Sequence, residues 1–453
     1  MRLLPVMLLL CGCALGAEKE TPPAGGPAKP FKLPPTEDFT LPNGMKVTLA
    51  SYGEVPRVAV RAYVNAGSVN EPADQVWISK VTGQLMKEGT KTRPASELAR
   101  EAADMGGSLD VNPRSEYTSI GGVVLSESGP KFVGLLADVL RNPLFPESEL
   151  ARIKADLARD RAVDSARPQT QANELFMKTL LPDQPYSRLF PTETALKGYT
   201  LDQVKAFYNS NFGAGRTHLY IAGKLDPGLR AAIEAAFRDW PQGSTASVPA
   251  PKPANVRSLQ LIDRPGAEQS TLYMGLAVPG ATSQDYVAFA VLDSLLGGSF
   301  ASRITSNIRE QKGYTYSPQS LVLNRHHFSA WMEIADVTTA VTGPSIKEIF
   351  NEIDRVRKES PPAGELKGIQ NYMAGLFLLR NTISPDAIIG QLQFVDAQEL
   401  PRSYLSDYVP KVMAVKGPDI QRLAEQYLSP GKMTIVVVGD KAKIGDQIKE
   451  FEK

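Results

Sequence analysis

The sequence predicts an α+β fold made of two homologous α/β-sandwich domains, each an antiparallel or mixed sheet layered with helices. Strand and helix patterns are mixed in both halves of the chain, which favours this class. The same order of elements also runs twice, because residues 216–223 match residues 432–439 at an offset of 432 − 216 = 216. Glu149 and Glu365 begin matching helical patterns at the same offset, 365 − 149 = 216. A repeat this long indicates duplication of a whole domain.

The first half opens with a predicted β-hairpin over residues 38–51, where Asn43-Gly44 separates two alternating segments. Apolar periodicity then predicts the remaining elements in chain order. These are strands at 58–66, 109–111, 117–125 and 217–222, and helices at 76–88, 96–105, 131–140 and 147–165.

A stretch rich in Pro, Ser and Ala separates the two halves and is typical of a linker. We therefore expect a first domain at residues 38–240, a linker at 241–256 and a second domain at 257–453.

Composition excludes several classes of protein. The chain has 453 residues, with 50 Lys+Arg against 49 Asp+Glu, so its net charge of +1 gives no electrostatic footprint for nucleic acid. Both cysteines lie in the N-terminal apolar run, which leaves the folded part without a disulfide or a thiolate zinc site. His326 and His327 are adjacent in a predicted strand, so their side chains should point to opposite faces and form no metal pair. His218, at the start of a strand, is predicted to be structural.

The first 17 residues predict an export signal, because an apolar run is followed by small residues. The run is shorter than the roughly 20 apolar residues that span a bilayer. Its end resembles a bacterial lipobox, which predicts lipid attachment at Cys13; cleavage near Gly16 or Ala17 is the alternative. Residues 18–37 are predicted to be a flexible tether. We therefore expect a periplasmic or cell-envelope protein, with an outer-membrane lipoprotein as one form.

Residues 78–92, ISKVTGQLMKEGTKT, resemble the zinc-binding helix of the pitrilysin/insulinase metallopeptidases, the inverzincin family. In that family His-x-x-Glu-His precedes Gly-Thr; the two His bind zinc and the Glu activates the bound water. Alignment on Gly-Thr places Lys80 at the first ligand, Gly83 at the base and Gln84 at the second ligand. None of these side chains can perform that role, so the resemblance implies that this chain binds no metal.

The resemblance covers essentially the whole chain after the export signal. Residues 106–109 and 135–145 resemble family segments, although Asp110-Val111 stand where the family usually has Asn-Ala. The third zinc ligand of the family is a glutamate that would fall within residues 149–160. The carboxylates there, such as Asp156 or Asp160, are expected to form a solvated helix face because they have no partner ligands.

A glycine-rich turn at residues 296–298 precedes a helix and a second family signature. It is not a P-loop, since no Gly-Lys-Ser/Thr follows. The family has an Arg and a Tyr seven residues apart here, and Arg309 and Tyr316 keep that spacing, 316 − 309 = 7. The resemblance implies that both donate hydrogen bonds to the substrate backbone and to charge developing on the scissile carbonyl. Tyr314 is predicted on the same strand face and is the alternative; a surface ion pair with a packed ring is the structural alternative.

Bacterial members of this family can occur as pairs of half-size chains, one with the zinc motif and one with the Arg/Tyr pair. The resemblance thus implies a non-catalytic subunit of a heteromeric zinc metallopeptidase. It would bind unfolded peptides and position them for a zinc-bearing homologous partner, which would hold the zinc. The alternative is a catalytically inactive binding or assembly module of the cell envelope. An enzyme with other chemistry is disfavoured, because no nucleophilic Cys or Ser-His-Asp order is present.

Overall fold

The computed structural model describes Gly26, residues 31–245 and residues 250–452. The predicted export signal, Cys13 and part of the predicted tether and linker lie outside the described residues. The described chain forms two sheets covered by helices, which confirms the predicted α+β class with mixed sheets. Among the described helices, none is long and apolar enough to cross a membrane.

The first sheet has six strands in the order β1-β2-β6-β3-β5-β4, antiparallel except for the β2–β6 pair. The strands are β1 Thr36–Thr40, β2 Lys46–Ser51, β3 Arg57–Val64, β4 Asp110–Pro113, β5 Thr118–Leu125 and β6 Thr217–Gly223. The helices of this half are α1 Ile78–Met86, α2 Ala95–Asp104, α3 Gly129–Arg141, α4 Glu147–Ser165, α5 Pro168–Leu180, α6 Glu193–Gly198, α7 Leu201–Asn211 and α8 Leu229–Phe237.

The second sheet has five strands in the order β7-β11-β8-β10-β9, and only β7–β11 is parallel. The strands are β7 Ser258–Asp263, β8 Gln269–Val278, β9 Gln319–Arg325, β10 Phe328–Thr338 and β11 Thr434–Gly439. The α-helices are α9 Tyr286–Asp293, α10 Thr342–Lys358, α11 Ala363–Asn381, α12 Pro385–Ala397, α13 Ser403–Ala414, α14 Gly417–Tyr427 and α15 Lys441–Ile448. Two π-helices, Ser294–Gly298 and Thr305–Gln311, follow α9. Apart from β1, the two sheets have the same topology, as expected of a duplication.

Each strand of a sheet serves two apolar layers, because successive side chains point to opposite faces. On β3, Val58 and Val60 belong to the core beneath the helices of the first half, whereas Ala59 faces the other way. On β8, Leu272 and Met274 face the helices of the second half, whereas Tyr273 faces the other way. Both sheets therefore need a cover on each face.

The two halves exchange one helix each to provide the second cover. Helix α5 of the first half packs on β8 and β11 of the second sheet, and α12 of the second half packs on β3 and β6 of the first. The two helices correspond in the duplication, since both have 13 residues and begin with proline, 385 − 168 = 217. An ion pair between Arg61 Nε and Asp386 Oδ1, 2.8 Å apart, fixes the start of α12 on the first sheet. The halves are therefore interlocked.

Candidate functional site

Helix α1 carries the degenerate zinc motif, and its first turn is held by a buried carboxylate. Glu71 accepts hydrogen bonds from the backbone N–H groups of Trp77 and Ser79, at 2.9 and 3.0 Å, and from the Ser79 hydroxyl. Burial raises the pKa of Glu71 to about 7, although these hydrogen bonds oppose the rise. Trp77 precedes the helix in the left-handed conformation, at φ 75°, and its indole N–H donates to the Leu189 carbonyl at 2.7 Å.

Lys80 stands at the first ligand position and makes a cation–π contact. Its Nζ lies 3.6 Å from the centroid of the Trp77 ring. Burial lowers the pKa of Lys80, while the charges of Glu71, Asp164 and Asp160 act in the opposite direction. The last two lie on α4, the helix on which the family's third ligand was expected. An ammonium therefore stands in place of the first ligand and interacts with the carboxylates of α4.

Gly83, at the position of the catalytic base, has no room for a side chain. A Cβ built there would lie 2.6 Å from Pro113 Cγ and 3.4 Å from Val111 Cγ1, so β4 packs directly against α1. Gln84, at the second ligand position, is half-buried. A cationic Lys80, a filled base position and a weak amide donor do not fit zinc, and no step of a zinc mechanism can take place on α1.

The carboxylates nearest the expected third-ligand position are engaged elsewhere or exposed. Asp156 pairs with Arg152 at 3.2 Å and with Arg159, both on its own helix. Asp160 is exposed. These side chains occupy the outer face of α4.

The Gly-Thr signature after α1 has a structural role. The Thr90 hydroxyl donates to Asp138 Oδ2 at 2.6 Å, and Thr92, Arg93 and Asn142 also donate to this carboxylate, at 2.8, 2.8 and 3.0 Å. Burial alone would raise the pKa of Asp138, but the four hydrogen bonds together lower it below its ordinary value. This network fastens the end of the motif segment to α3.

A cavity of about 550 Å³ lies between the two halves, beside Lys80. Its first-half wall is formed by the start of α1 and the turn after β4, and its second-half wall by the ends of β9 and α12. The lining includes Trp77, Lys80, Glu116, Tyr117 and Phe394. Sequence reasoning missed this cavity, because its walls come from both halves of the chain, with a separation of 324 − 189 = 135 residues between the nearest lining positions of the two halves.

Arg309 and Tyr316, the predicted substrate-binding pair, lie together on the surface of the second half. The guanidinium carbon of Arg309 lies 5.0 Å from the centroid of the Tyr316 ring and 4.5 Å from that of Phe300. Both rings are largely exposed, Tyr316 at 79% and Phe300 at 70%, whereas the Arg309 side chain is only 24% exposed. Glu310 Oε1 lies 3.3 Å from Arg309 Nε. Phe300 was not singled out from the sequence, although its place in the glycine-rich signature was a usable signal.

Tyr314 lies elsewhere, and the prediction that it shares a strand face with Tyr316 is wrong. The segment is not a regular strand: only Thr315 forms an isolated bridge, to Val337. The Tyr314 ring packs against the core of the second half, with Lys312 Nζ 5.9 Å from its centroid. Gly313, at φ 63°, turns the chain immediately before this segment, which explains the loss of strand alternation.

The glycine-rich turn lies over two buried acids, another feature that the sequence did not predict. A Cβ on Gly297 would lie 2.5 Å from Glu333 Oε2, and one on Gly298 would lie 2.7 Å from Asp293 Oδ2. Burial raises the pKa of Asp293 to about 6 and that of Glu333 well above its ordinary value. The glycines are therefore required by the carboxyl groups beneath them. Arg309 itself lies in the second π-helix, a form often found at functional sites.

His326 and His327 form the turn between β9 and β10, so the prediction that they occupy a strand and point apart is wrong. His327 has φ 56°, which the tight turn requires, and the ring centroids lie 3.8 Å apart. Ligand atoms of both His and of Glu399 lie within 4.8 Å of one another, so this group could hold a metal ion. His326 Nδ1 lies 3.1 Å from the Ala397 carbonyl, a contact that would leave Nε2 free as a ligand.

His218 lies in a buried network between the halves. Its Nε2 is 2.9 Å from Thr48 Oγ1, and its Nδ1 is 2.9 Å from the Tyr220 hydroxyl, which donates to Asp396 of α12 at 2.7 Å. Burial lowers the pKa of His218 to about 3, and the charges of Arg402 and Lys46 add to this effect. A neutral His218 that joins the first sheet to α12 has the structural position expected of it.

Comparison with known families agrees with this arrangement. The family model for insulinase (peptidase family M16) matches residues 46–190, and the model described as the peptidase M16 inactive domain matches residues 198–373. The chain belongs to the insulinase family of peptidases. It is a half-size member.

Relatives of this insulinase-family chain come from several bacteria. It is 27% identical to an uncharacterized zinc protease of Rickettsia felis over 61% of this chain and 67% of the relative. It is 24% identical to an uncharacterized zinc protease of Streptomyces coelicolor over 86% of both chains. Among solved structures, a peptidase M16 inactive domain from Pseudomonas fluorescens has a TM-score of 0.81 at 23% identity, covering 89% of this chain and 98% of that one. A protease from Helicobacter pylori has a TM-score of 0.82 at 20% identity, covering 90% and 100%. These two structures share the fold.

Proposed function

We propose that this chain is the non-catalytic subunit of a two-chain zinc peptidase. It binds unfolded peptides and positions them for a homologous subunit that holds the zinc, the water and the general base. The observation that carries the proposal is a contrast within one chain. The base position at Gly83 is filled by Pro113, whereas Arg309 and Tyr316 are both present and in contact, with the Tyr316 ring exposed.

Several features of the Arg309–Tyr316 pair suit a composite site. The guanidinium contacts two exposed rings, which restrain its direction. A positioned guanidinium and a phenol can stabilise charge on a carbonyl oxygen, each contributing about 3 kcal/mol in a preorganised site. Lys80, Gly83 and Gln84 on α1 offer no group that would activate a zinc-bound water.

A depression of the second half lies beside the glycine-rich turn. Gly298 and Asp293 line it together with Tyr372, Met373 and Phe377 of α11. Further along the same helix, Leu379 is 70% exposed. Exposed apolar side chains such as Leu379 and Phe300 are suited to contact with a partner subunit or an unfolded peptide.

The test is peptidase activity on a pool of unstructured peptides. The assay compares this chain alone, a zinc-bearing homologue from the same genome alone, and both together, each with and without a chelator. We expect turnover only in the mixture, abolished by the chelator. Arg309→Lys and Tyr316→Phe should each lower turnover at least tenfold while complex formation persists. Arg159→Ala, an exposed arginine on α4, is the matched control and should have no effect.

The alternative function is a binding or assembly module of the cell envelope with no part in catalysis. The filled zinc motif is as compatible with this alternative as with the two-chain peptidase, because it excludes zinc catalysis on α1 and indicates no other role. If the mixture shows no gain over the homologue alone, and Arg309→Lys and Tyr316→Phe change nothing, the envelope module is the better account.

We also propose that the chain is exported to the periplasm and anchored by a lipid on Cys13. The N-terminal apolar run and the lipobox-like residues support this location. Labelled fatty acid should be incorporated into the full chain and not into a Cys13→Ser variant. Export of both forms without incorporation would show a free periplasmic protein instead.

A further inference from the structure

We propose that the cavity between the two halves binds the carboxylates of an extended acidic peptide. This deepens the peptide-binding part of the proposed function, but it requires neither the partner subunit nor the Arg309–Tyr316 pair. The site lies at the former zinc-motif helix of this chain, where Lys80 now faces the cavity.

Four cationic side chains line the cavity: Lys80, Arg114, Arg188 and Arg325. Within the part of the chain that the structure describes, none of them forms an ion pair with a carboxylate. Paired cations are the usual state of half-buried arginines and lysines, because desolvation makes an unpaired charge costly. Arg188 and Arg325 are half-buried without a carboxylate partner among the described residues, which indicates an anionic ligand. Arg114 is exposed, and the charges of Glu71, Asp160 and Asp164 act on Lys80.

The one carboxylate that lines the cavity is already engaged. Glu116 Oε1 accepts a hydrogen bond from the Tyr186 hydroxyl at 2.8 Å and from the backbone N–H of His326 at 2.6 Å. It joins the two halves across the back of the cavity and leaves a balance of 4 − 1 = 3 positive charges on the lining. The lining therefore stays net positive and attracts an anion, although Glu71, Asp160 and Asp164 behind it offset part of the charge of Lys80.

Arg325 gives the most direct indication of an anionic ligand in the cavity. Its Nη1 donates to the neighbouring Asn324 carbonyl at 2.9 Å, but its Nε is buried without a hydrogen-bond partner. A buried donor left unpaired costs about 1–3 kcal/mol. The buried Nε is out of reach of a ligand in the cavity, but Nη2 has no hydrogen-bond partner among the described residues, so a carboxylate there can bind the Nη2 side of this guanidinium.

The shape of the site favours a peptide over a small anion. Strand β4 ends at the cavity and is the last strand of the first sheet, whereas β9 ends there and is the last strand of the second. Each described edge strand pairs on one side only, so each offers free backbone groups to an added strand. The rings of Trp77 and Phe394 add apolar wall, and about 550 Å³ accommodates several residues. An extended segment with acidic side chains can form hydrogen bonds with the edge strands and ion pairs with the cations.

The test measures binding by this chain alone to a fluorescein-labelled glutamate-containing peptide. The same peptide with glutamine in place of glutamate, and inorganic phosphate as a competitor, distinguish a peptide from a small anion. We expect the glutamate peptide to bind at least tenfold more tightly than the glutamine peptide, and binding should weaken as salt is raised. Phosphate should compete only weakly.

Arg188→Gln and Arg325→Gln should each weaken binding about tenfold, whereas the exposed Arg238→Gln outside the cavity should leave it unchanged. If Arg325→Gln does not fold, Arg188→Gln and Lys80→Gln decide the matter. Equal binding of the two peptides, unchanged binding by the cavity variants, or binding of phosphate without the peptide would each overturn the proposal. A negative result in this binding assay would not contradict the two-chain peptidase, because the peptidase assay depends on the partner subunit and on Arg309.

Discussion

The ring of Pro113 lies where a side chain at Gly83 would project: a Cβ on Gly83 would approach Pro113 Cγ to 2.6 Å. Strand β4 therefore occupies the space that a side chain at position 83 would need, and the packing of α1 on β4 depends on a glycine there.

This contact predicts that Gly83→Ala destabilises the protein by about 1–2 kcal/mol. Alanine normally stabilises a helix interior by about 1 kcal/mol over glycine, but the rigid proline ring imposes overpacking that outweighs this gain. In a Pro113→Ala background the sign should reverse, and Gly83→Ala should stabilise by about 0.5–1 kcal/mol. Chemical denaturation of the wild type, the two single variants and the double variant measures the unfolding free energies of this double-mutant cycle. Additive effects would contradict a direct contact.

Restoring the motif should not restore metal binding. The variant Lys80→His, Gly83→Glu, Gln84→His provides the family residues, but a glutamate at position 83 would collide with Pro113. We expect no zinc above the wild-type level by metal analysis of the purified chain. The Lys80→His, Gln84→His variant without the glutamate is the matched control for folding. Stoichiometric zinc in the triple variant would show that β4 moves aside easily.

Phe300 should support Arg309 in the composite activity. Removing the ring in Phe300→Ala deletes one of the two cation–π contacts, each worth about 0.5–1 kcal/mol at an exposed site. We expect turnover of the mixed subunits to fall about two- to fivefold with an unchanged melting temperature. Val256→Ala, with a side chain 62% exposed, is the control for loss of exposed apolar surface. An unchanged rate in the Phe300 variant would show that Arg309 is oriented by other contacts.

The Asp138 network should contribute strongly to stability. Asp138→Ala removes the acceptor of four hydrogen bonds, one of them from Arg93, and should destabilise by about 2–4 kcal/mol. Because the pKa of Asp138 is lowered on folding, its contribution is present above the unfolded pKa and is lost as pH falls through the folded value. Thermal melting at neutral and acidic pH tests both statements. Asp156→Ala, on the exposed face of α4, should change stability by less than about 0.5 kcal/mol.

The contribution of Glu71 to stability should depend on pH in the opposite direction to that of Asp138. Its pKa rises on folding from 4.5 to about 7, so the folded state holds more protons than the unfolded state between these values. Stability from this group is therefore full at about pH 4.5 and falls by up to about 3 kcal/mol as pH rises through 7. Glu71→Gln should flatten this part of the profile, so the difference between wild type and variant should change with pH. A constant difference would mean that Glu71 titrates normally.

Much of the fold could be predicted from local patterns. Asn43-Gly44 gave the first hairpin its turn, and the matched segments before Gly223 and Gly439 became the equivalent strands β6 and β11. These patterns succeed because alternation and turn chemistry depend on near neighbours.

The remaining features depend on distant contacts. The residues near Gly83 in the sequence do not indicate that Pro113 will pack on it. The residues near Lys80 do not predict a cavity that Arg325 completes. His326-His327 were predicted to lie within a strand, but the tight reversal between β9 and β10 placed them in a turn. The Arg309–Tyr316 pair was found through the family spacing, whereas its stacking with Phe300 required the structure.

The exchange of α5 and α12 has a consequence for synthesis of the chain. The first sheet has all its strands once Gly223 has been made, but the helix that covers its second face begins at Pro385, 385 − 223 = 162 residues later. At ordinary translation rates this is a delay of roughly 10–30 s. During that time the nascent first half carries an uncovered sheet face, which makes it a client for a holding chaperone. A chain cut after the first half should remain in that state and aggregate.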